Sequence, residues 1–167
     1  MAAGLGSDVP FFLEGGTAVG TSRGEILEHF ELHMPYWILT ATPNIHISTS
    51  WAYSNVRPNA RAGYAELRTI VEKSLLDSKQ MRAEVRNDFE EPVFRHHLDI
   101  AQLKETLDQT GSVFSQMSGS GSSVYGFFES RTSALEAKAK VPPSFATSLT
   151  APGFRPIQSS QSMTKIH

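Results

Sequence analysis

The sequence predicts an α+β fold, an antiparallel sheet covered on one face by helices in a two-layer sandwich of ferredoxin-like type, preceded by strands that belong to a neighbouring domain. Three observations predict it. From residue 36 onward, β-rich runs and helical periodicities follow one another as strand, helices, strand, strand, helix, strand. The β-rich runs are short and bounded by Gly, Ser or Pro, whereas the longer segments carry apolar residues at helical spacing. The composition, 40% hydrophobic and 19% charged over 167 residues, suits one ordinary domain with a real core.

Taken in order, residues 1–6 read as the last turn of a helix with Gly4 or Gly6 at its end. Phe11-Phe12-Leu13 and Thr17-Ala18-Val19 flank Gly15-Gly16 as strand, bend, strand. Residues 25–32 alternate Ile26, Glu28, Phe30 and Leu32 along one face of a strand, and 36–40 form an apolar run stopped by Pro43. Ser48 or Thr49 caps a short helix that runs through Ser54. A longer helix over 62–76 carries Leu67, Ile70, Val71 and Leu75 at helical spacing.

Another short helix spans 87–94, and 98–109 places Ile100, Leu103 and Leu107 on one face with Gly111 just beyond as its stop. Residues 112–117 and 123–128 are β-rich runs joined by Ser118-Gly119-Ser120-Gly121-Ser122. A helix over 132–140 ends before Pro142-Pro143, a last strand covers 145–149, and from Pro152 a polar composition predicts a loose tail. No internal repeat interrupts this order.

Charge and composition exclude several functions. Fifteen basic residues against seventeen acidic give a net charge of −2, so no nucleic-acid or membrane-surface partner is expected. There is no cysteine, which removes disulfides and Cys-based metal sites. No apolar run approaches membrane-spanning length and the first residues lack a basic leader, so the expected location is the cytoplasm. The six histidines form no H-E-x-x-H pattern, and no metal is assigned to side chains alone. Glu90-Glu91 are expected on a helix, facing solvent or capping neighbours.

Three segments carry candidate chemistry. Asp8, in Leu5-Gly6-Ser7-Asp8-Val9-Pro10-Phe11-Phe12, sits between a helix end and a strand, where a rigid carboxylate can accept a proton from an attacking hydroxyl. On spacing alone, an Asp that caps local backbone N–H groups is the commoner arrangement. Met117-Ser118-Gly119-Ser120-Gly121-Ser122-Ser123 can fold its N–H groups around an anion, or be a plain hairpin turn. It is neither a Walker A loop nor a dinucleotide fingerprint. Residues 43–53 run from a strand into a helix bearing Trp51 and Tyr53 beside hydroxyls, which suits stacking on a base or core packing; core packing is the expectation for Trp51.

Together these segments resemble the GHMP-superfamily kinases, and within them the family acting on 4-diphosphocytidyl-2-C-methyl-D-erythritol. The matching stretches are 5–12, 15–27, 43–53, Arg86-Asn87-Asp88-Phe89-Glu90 and 117–126, in register over roughly residues 1–150. The resemblance implies transfer of the γ-phosphate of ATP, with Mg2+, to a hydroxyl of the cytidyl-linked methylerythritol. It implies Asp8 as the catalytic aspartate, Tyr53 as the ring stacking on cytosine, Thr49 as a hydroxyl of the same pocket, and Gly119, Ser120 and Gly121 beside the phosphate loop. It also divides the chain into 1–34 as the remnant of an N-terminal S5-like domain, 35–151 as the GHMP C-terminal domain, and 152–167 as the tail.

The family's N-terminal half, with its catalytic lysine, the partners of the cytosine site and the glycine-rich ATP loop, has no counterpart in these residues. That half is therefore the expected partner, and the chain alone is expected to be inactive. The alternatives are another GHMP small-molecule kinase of mevalonate or homoserine type, and a non-catalytic binding module. Tyr53 discriminates among the kinases, because only a base-bearing substrate gives it a stacking partner.

Overall fold

A computed structural model describes residue 11 and residues 15–22, 24, 26–57 and 64–154. The expected helix turn at 1–6, Asp8, residues 12 and 13, the Leu67 side chain and the tail beyond 154 lie outside the described atoms; Phe11, expected in a strand, is instead helical, its carbonyl accepting from the Gly15 N–H at 2.7 Å.

Ahead of the main sheet, β1 (Thr17–Thr21) and β2 (Ile26–Phe30) pair antiparallel in a two-stranded sheet of their own, Thr17 opposite Phe30. The main sheet has β3 (Trp37–Thr42), β4 (Phe114–Met117), β5 (Val124–Phe128) and β6 (Ala146–Thr150) in the order β4-β5-β3-β6, every pair antiparallel. The first strand in sequence is thus internal, and its nearest partners come last: Leu39 stands opposite both Gly126 and Leu149. This is the ferredoxin-like order expected from the succession of elements.

Six helices complete the described residues: α1 (Thr49–Asn55), α2 (Tyr64–Ser74), α3 (Ser78–Glu84), α4 (Glu90–His96), α5 (Leu98–Gln109) and α6 (Arg131–Lys138). Ser48 caps α1, its side chain accepting from the Trp51 N–H. The period-two alternation of the strands sorts two cores onto the two faces of the sheet. Leu39, Ala41, Val124, Phe128 and Met117 face α5 and α6, which supply Ile100, Leu103, Leu107, Ala134 and Ala137. Phe128 is fully buried there.

The opposite face is not bare, which corrects the expectation of helices on one side only. Phe114 and Phe127 point the other way and meet Tyr36, Leu75 and Met81, brought in by the end of α2 and by α3. The helix expected over 62–76 is α2, and a second helix that the sequence did not predict follows it. Asp77 starts this α3, accepting from the Lys79 and Gln80 N–H groups at 2.9 and 3.1 Å.

Arg82 on α3 then fastens this layer. It donates to the Asp108 carboxylate at 2.8 Å and to the carbonyls of Ser112 and Val113 at 2.7 and 2.9 Å. On the far side, Arg68 of α2 reaches Glu28 at 3.0 Å and lies over the Phe30 ring, tying β2 to the helix. No helix among the described residues is long and apolar enough to cross a membrane.

Candidate functional site

The end of β3 delivers the chain into the loop that opens α1. Ala52 is fully buried and Trp51 packs against the core, with its ring edge-on to His96 and His97 at 5.0 and 6.1 Å, so Trp51 does serve the core. With that face anchored, helical spacing sends Thr49 and Tyr53, four residues apart, to the other side together. Both are exposed, Tyr53 at 66%. The tyrosine is held nonetheless: its ring meets Phe89 at 5.0 Å and an interplanar angle of 80°.

The 118–122 turn lies at the tip of the β4–β5 hairpin. It closes on itself through Ser118 N–H to the Ser123 carbonyl at 2.8 Å and Gly121 N–H to the Ser118 carbonyl at 2.9 Å. The turn is also tied to the loop after β3, because Ser122 donates to the Pro43 carbonyl at 3.3 Å and the Thr42 and Ser123 hydroxyls share a bond of 2.8 Å. Gly119 and Gly121 take positive φ of 53° and 93°. A side chain at Gly121 would have its Cβ 2.9 Å from Ile47 Cδ1 and Met117 Sδ, so the position is glycine for space as well as for conformation.

Between Tyr53 and the glycine turn runs the segment 87–90. The Asn87 side chain accepts from the Phe89 N–H at 3.0 Å and donates to the carbonyls of Met117 and Gly119 at 2.8 and 2.7 Å. Glu90 accepts from the Met117 N–H at 2.8 Å. Three backbone groups of the hairpin are therefore satisfied by this one segment, on the side of β4 that has no neighbouring strand.

Of the two arrangements expected for Glu90 and Glu91, Glu91 faces solvent and pairs with Arg95 at 2.7 Å, while Glu90 takes the other and caps a neighbour, the Met117 N–H. Glu90 turns inward to the edge strand. Burial raises its carboxyl pKa, against the opposing pull of the Met117 N–H and the Lys104 ammonium. Nearby, burial and then the Glu90 charge push Tyr125 up to about 12, and its hydroxyl donates to Gln116 at 3.1 Å.

A hollow of about 380 Å³ opens here, lined by Asn87, Phe89, Met117, Gly119 and Tyr125 among others. A larger cleft of about 1030 Å³ continues along β4 past Arg57, Arg86, Arg95 and Lys104. Among the described residues no three His, Asp or Glu side chains gather as a metal site. The free donors suit an anion instead: the Gly119 and Ser120 N–H groups have no partner among the described residues.

The structure thus brings Tyr53 and the Gly119-Ser120-Gly121 turn to one end of the sheet, joined through Phe89 and Asn87, with Thr49 on the same helix face as Tyr53. Asp8 lies outside the described residues. Reading the sequence placed Asn87 and Phe89 in the matching stretch 86–90 without assigning their side chains to the site, although an Asn three residues ahead of a Glu at a helix start is a local turn signal.

The profile of a family described as GHMP kinases C terminal matches residues 60–146. A 4-diphosphocytidyl-2-C-methyl-D-erythritol kinase of Pelodictyon phaeoclathratiforme is 39% identical over 156 residues, covering 92% of this chain and 54% of the relative. The protein of the same name from Chlorobium limicola is 40% identical over 157 residues, with the same coverage. Among solved structures, a 4-(cytidine 5'-diphospho)-2C-methyl-D-erythritol kinase superposes with a TM-score of 0.70 at 26% identity, over 88% of this chain and 53% of that one. A homoserine kinase from Cytophaga hutchinsonii shares the fold, with a TM-score of 0.61 at 15% identity. The chain spans about half the length of the curated relatives it matches.

Proposed function

Since the chain belongs to the GHMP kinase C-terminal family, a family of small-molecule kinases, we propose that it forms the substrate-side part of a 4-diphosphocytidyl-2-C-methyl-D-erythritol kinase. In that enzyme the γ-phosphate of ATP passes to a hydroxyl of the cytidyl-linked methylerythritol, in the cytoplasm, on the non-mevalonate route to isoprenoids.

The observation that carries this reading is Tyr53. It is a largely exposed ring that a neighbouring aromatic holds in place, at the same end of the sheet as a glycine turn whose Gly119 and Ser120 N–H groups have no partner among the described residues. A cytosine stacks on the ring, with Thr49 within the same helix face to hydrogen-bond the ligand. The turn amides face the phosphate end. Asp8 takes the hydroxyl proton as that oxygen attacks phosphorus, and Mg2+ would supply charge neutralisation at the transferring phosphate.

Phosphoryl transfer rests on positioning and charge neutralisation more than on one base. By the resemblance, residues 1–34 belong with an N-terminal domain that brings the ATP loop and a lysine, and without that domain no turnover is expected.

The test is a kinase assay on the chain fused to the N-terminal half of the Chlorobium limicola relative, with the cytidyl substrate, homoserine and mevalonate offered side by side. The cytidyl compound should be the one phosphorylated. Asp8→Asn should abolish turnover, and Tyr53→Ala should raise KM more than it lowers kcat. Preferred transfer to homoserine or mevalonate would sink the assignment.

A further inference from the structure

We propose that residues 87–89 are a strap that sets the position of Tyr53 relative to the glycine turn, with Asn87 and Phe89 as positioning residues for the ligand. The proposal rests on the reading of Tyr53 and the 119–121 turn as ligand contacts, and it adds residues to which that reading gave no role.

The two ends of the site come from distant parts of the chain. Tyr53 is on α1, and the turn joins β4 to β5. The turn is already tied to the loop ahead of α1, through Ser122 to the Pro43 carbonyl and Thr42 to Ser123. The strap adds a second link, one that reaches the Tyr53 ring itself. Its Asn87 amide grips two carbonyls that bracket the start of the turn, Met117 and Gly119, at 2.8 and 2.7 Å. The same side chain accepts from the Phe89 N–H at 3.0 Å, which locks the intervening backbone into a tight local turn. That turn aims the Phe89 ring at Tyr53.

One amide side chain thus satisfies three backbone groups and links both contact surfaces through a single intervening residue. A ligand that spans a base and a phosphate gains most from such a link. It binds without first ordering the two surfaces, so the ordering cost is met during folding. The aromatic pair restricts the Tyr53 ring, while the Asn87 bonds hold the turn that presents the Gly119 and Ser120 amides.

The test uses the 167-residue chain and its Asn87→Ala, Phe89→Leu and Phe89→Tyr variants. Cytidine 5'-diphosphate is titrated by NMR, and global stability is measured alongside by urea unfolding. Asn87→Ala and Phe89→Leu should weaken binding about threefold to tenfold, the range of one aromatic contact. Phe89→Tyr, which keeps the ring, should restore the wild-type dissociation constant; a merely structural loss would track stability instead.

A second readout stands apart from the ligand. Phe89→Leu should shift the Gly119 and Gly121 amide resonances, and Asn87→Ala should shift the Tyr53 ring resonances. Unchanged affinity in both weakened variants, or a Phe89→Tyr variant no better than Phe89→Leu, overturns the strap. If neither the wild-type chain nor its fusion to the relative's N-terminal half responds to cytidine 5'-diphosphate, the base-stacking role of Tyr53 fails. The strap is then decided by the reciprocal shifts, whose absence overturns it.

Discussion

Substituting Ala at Gly121 and, separately, at Gly119 separates backbone strain from steric crowding in one turn. Both glycines have positive φ, 93° and 53°, so an L side chain is strained at either, by about 1–2 kcal/mol. Only Gly121 is crowded. Its Cβ would stand 2.9 Å from Ile47 Cδ1 and from Met117 Sδ, whereas nothing lies within 4 Å of a Cβ at Gly119.

Ile47 and Met117 are themselves 7% and 1% exposed, so neither has open space to retreat into. Overpacking of that kind costs about 1–3 kcal/mol, with the flexible thioether favouring the lower half. The unfolded chain loses similar freedom in the two variants, so that contribution cancels. Gly121→Ala should therefore be less stable than Gly119→Ala by about 1–3 kcal/mol, a midpoint difference on the order of 1 M in urea. Equilibrium unfolding followed by Trp37 and Trp51 emission measures it, since both rings pack against the same core. Equal midpoints for the two variants would refute the crowding argument.

Glu90 and Arg82 give further tests. The Glu90 pKa is raised on folding, so its contribution to stability is greatest below the unfolded carboxylate value and declines as pH rises through the folded one. Glu90→Gln keeps an acceptor for the Met117 N–H and should flatten that decline, whereas Glu90→Ala orphans the amide and should cost about 1–3 kcal/mol; unfolding curves from pH 4 to 8, in roughly the range where such carboxyls titrate, distinguish the two, and an unchanged slope in Glu90→Gln refutes the account. At Asp108, burial opposes the charge, but the Arg82 hydrogen bond and the Lys104 ammonium outweigh it and hold the carboxyl below the usual range. Its stabilising effect is present above the unfolded pKa and lost as pH falls. Arg82→Met should raise the Asp108 pKa in a carboxyl NMR titration, lower stability at neutral pH by about 1–3 kcal/mol after allowing for solvent screening, and lessen the loss on acidification; an unmoved Asp108 titration would contradict the clamp.

The main sheet and its principal helices were readable because their signals are local. Leu98–Gln109 repeats its apolar residues at helical spacing, and β3 to β6 are short apolar runs between turn residues. The helix Ser78–Glu84 was not read, since Met81 is its one buried residue and no stripe can be drawn through it. Only the Asp77 cap betrayed it, a three-residue signal just past the expected end of the preceding helix.

Tyr53, Thr49 and the Gly119–Gly121 turn were nominated by motif, and the fold gathers them. Their mutual support was invisible for a different reason. Asn87 bonds to residues 30 and 32 positions away, and Glu90 to one 27 away. Such partners depend on where an edge strand lies once the sheet has formed. A Glu in the first turn of a helix resembles any solvated carboxylate until a strand with an open N–H is set beside it.

The internal placement of β3 has a consequence for biosynthesis. Thr42 must wait for Ala146, and Ala41 for Val124, before either side of that strand is hydrogen-bonded. At a ribosomal pace of roughly 5–20 residues per second, the wait lasts on the order of seconds to tens of seconds. During it, the apolar run around Leu39 is available to any nascent neighbour. Crowded polysomes and slow codons after residue 42 should therefore lower the yield of soluble protein, and chaperones that shield extended segments should raise it.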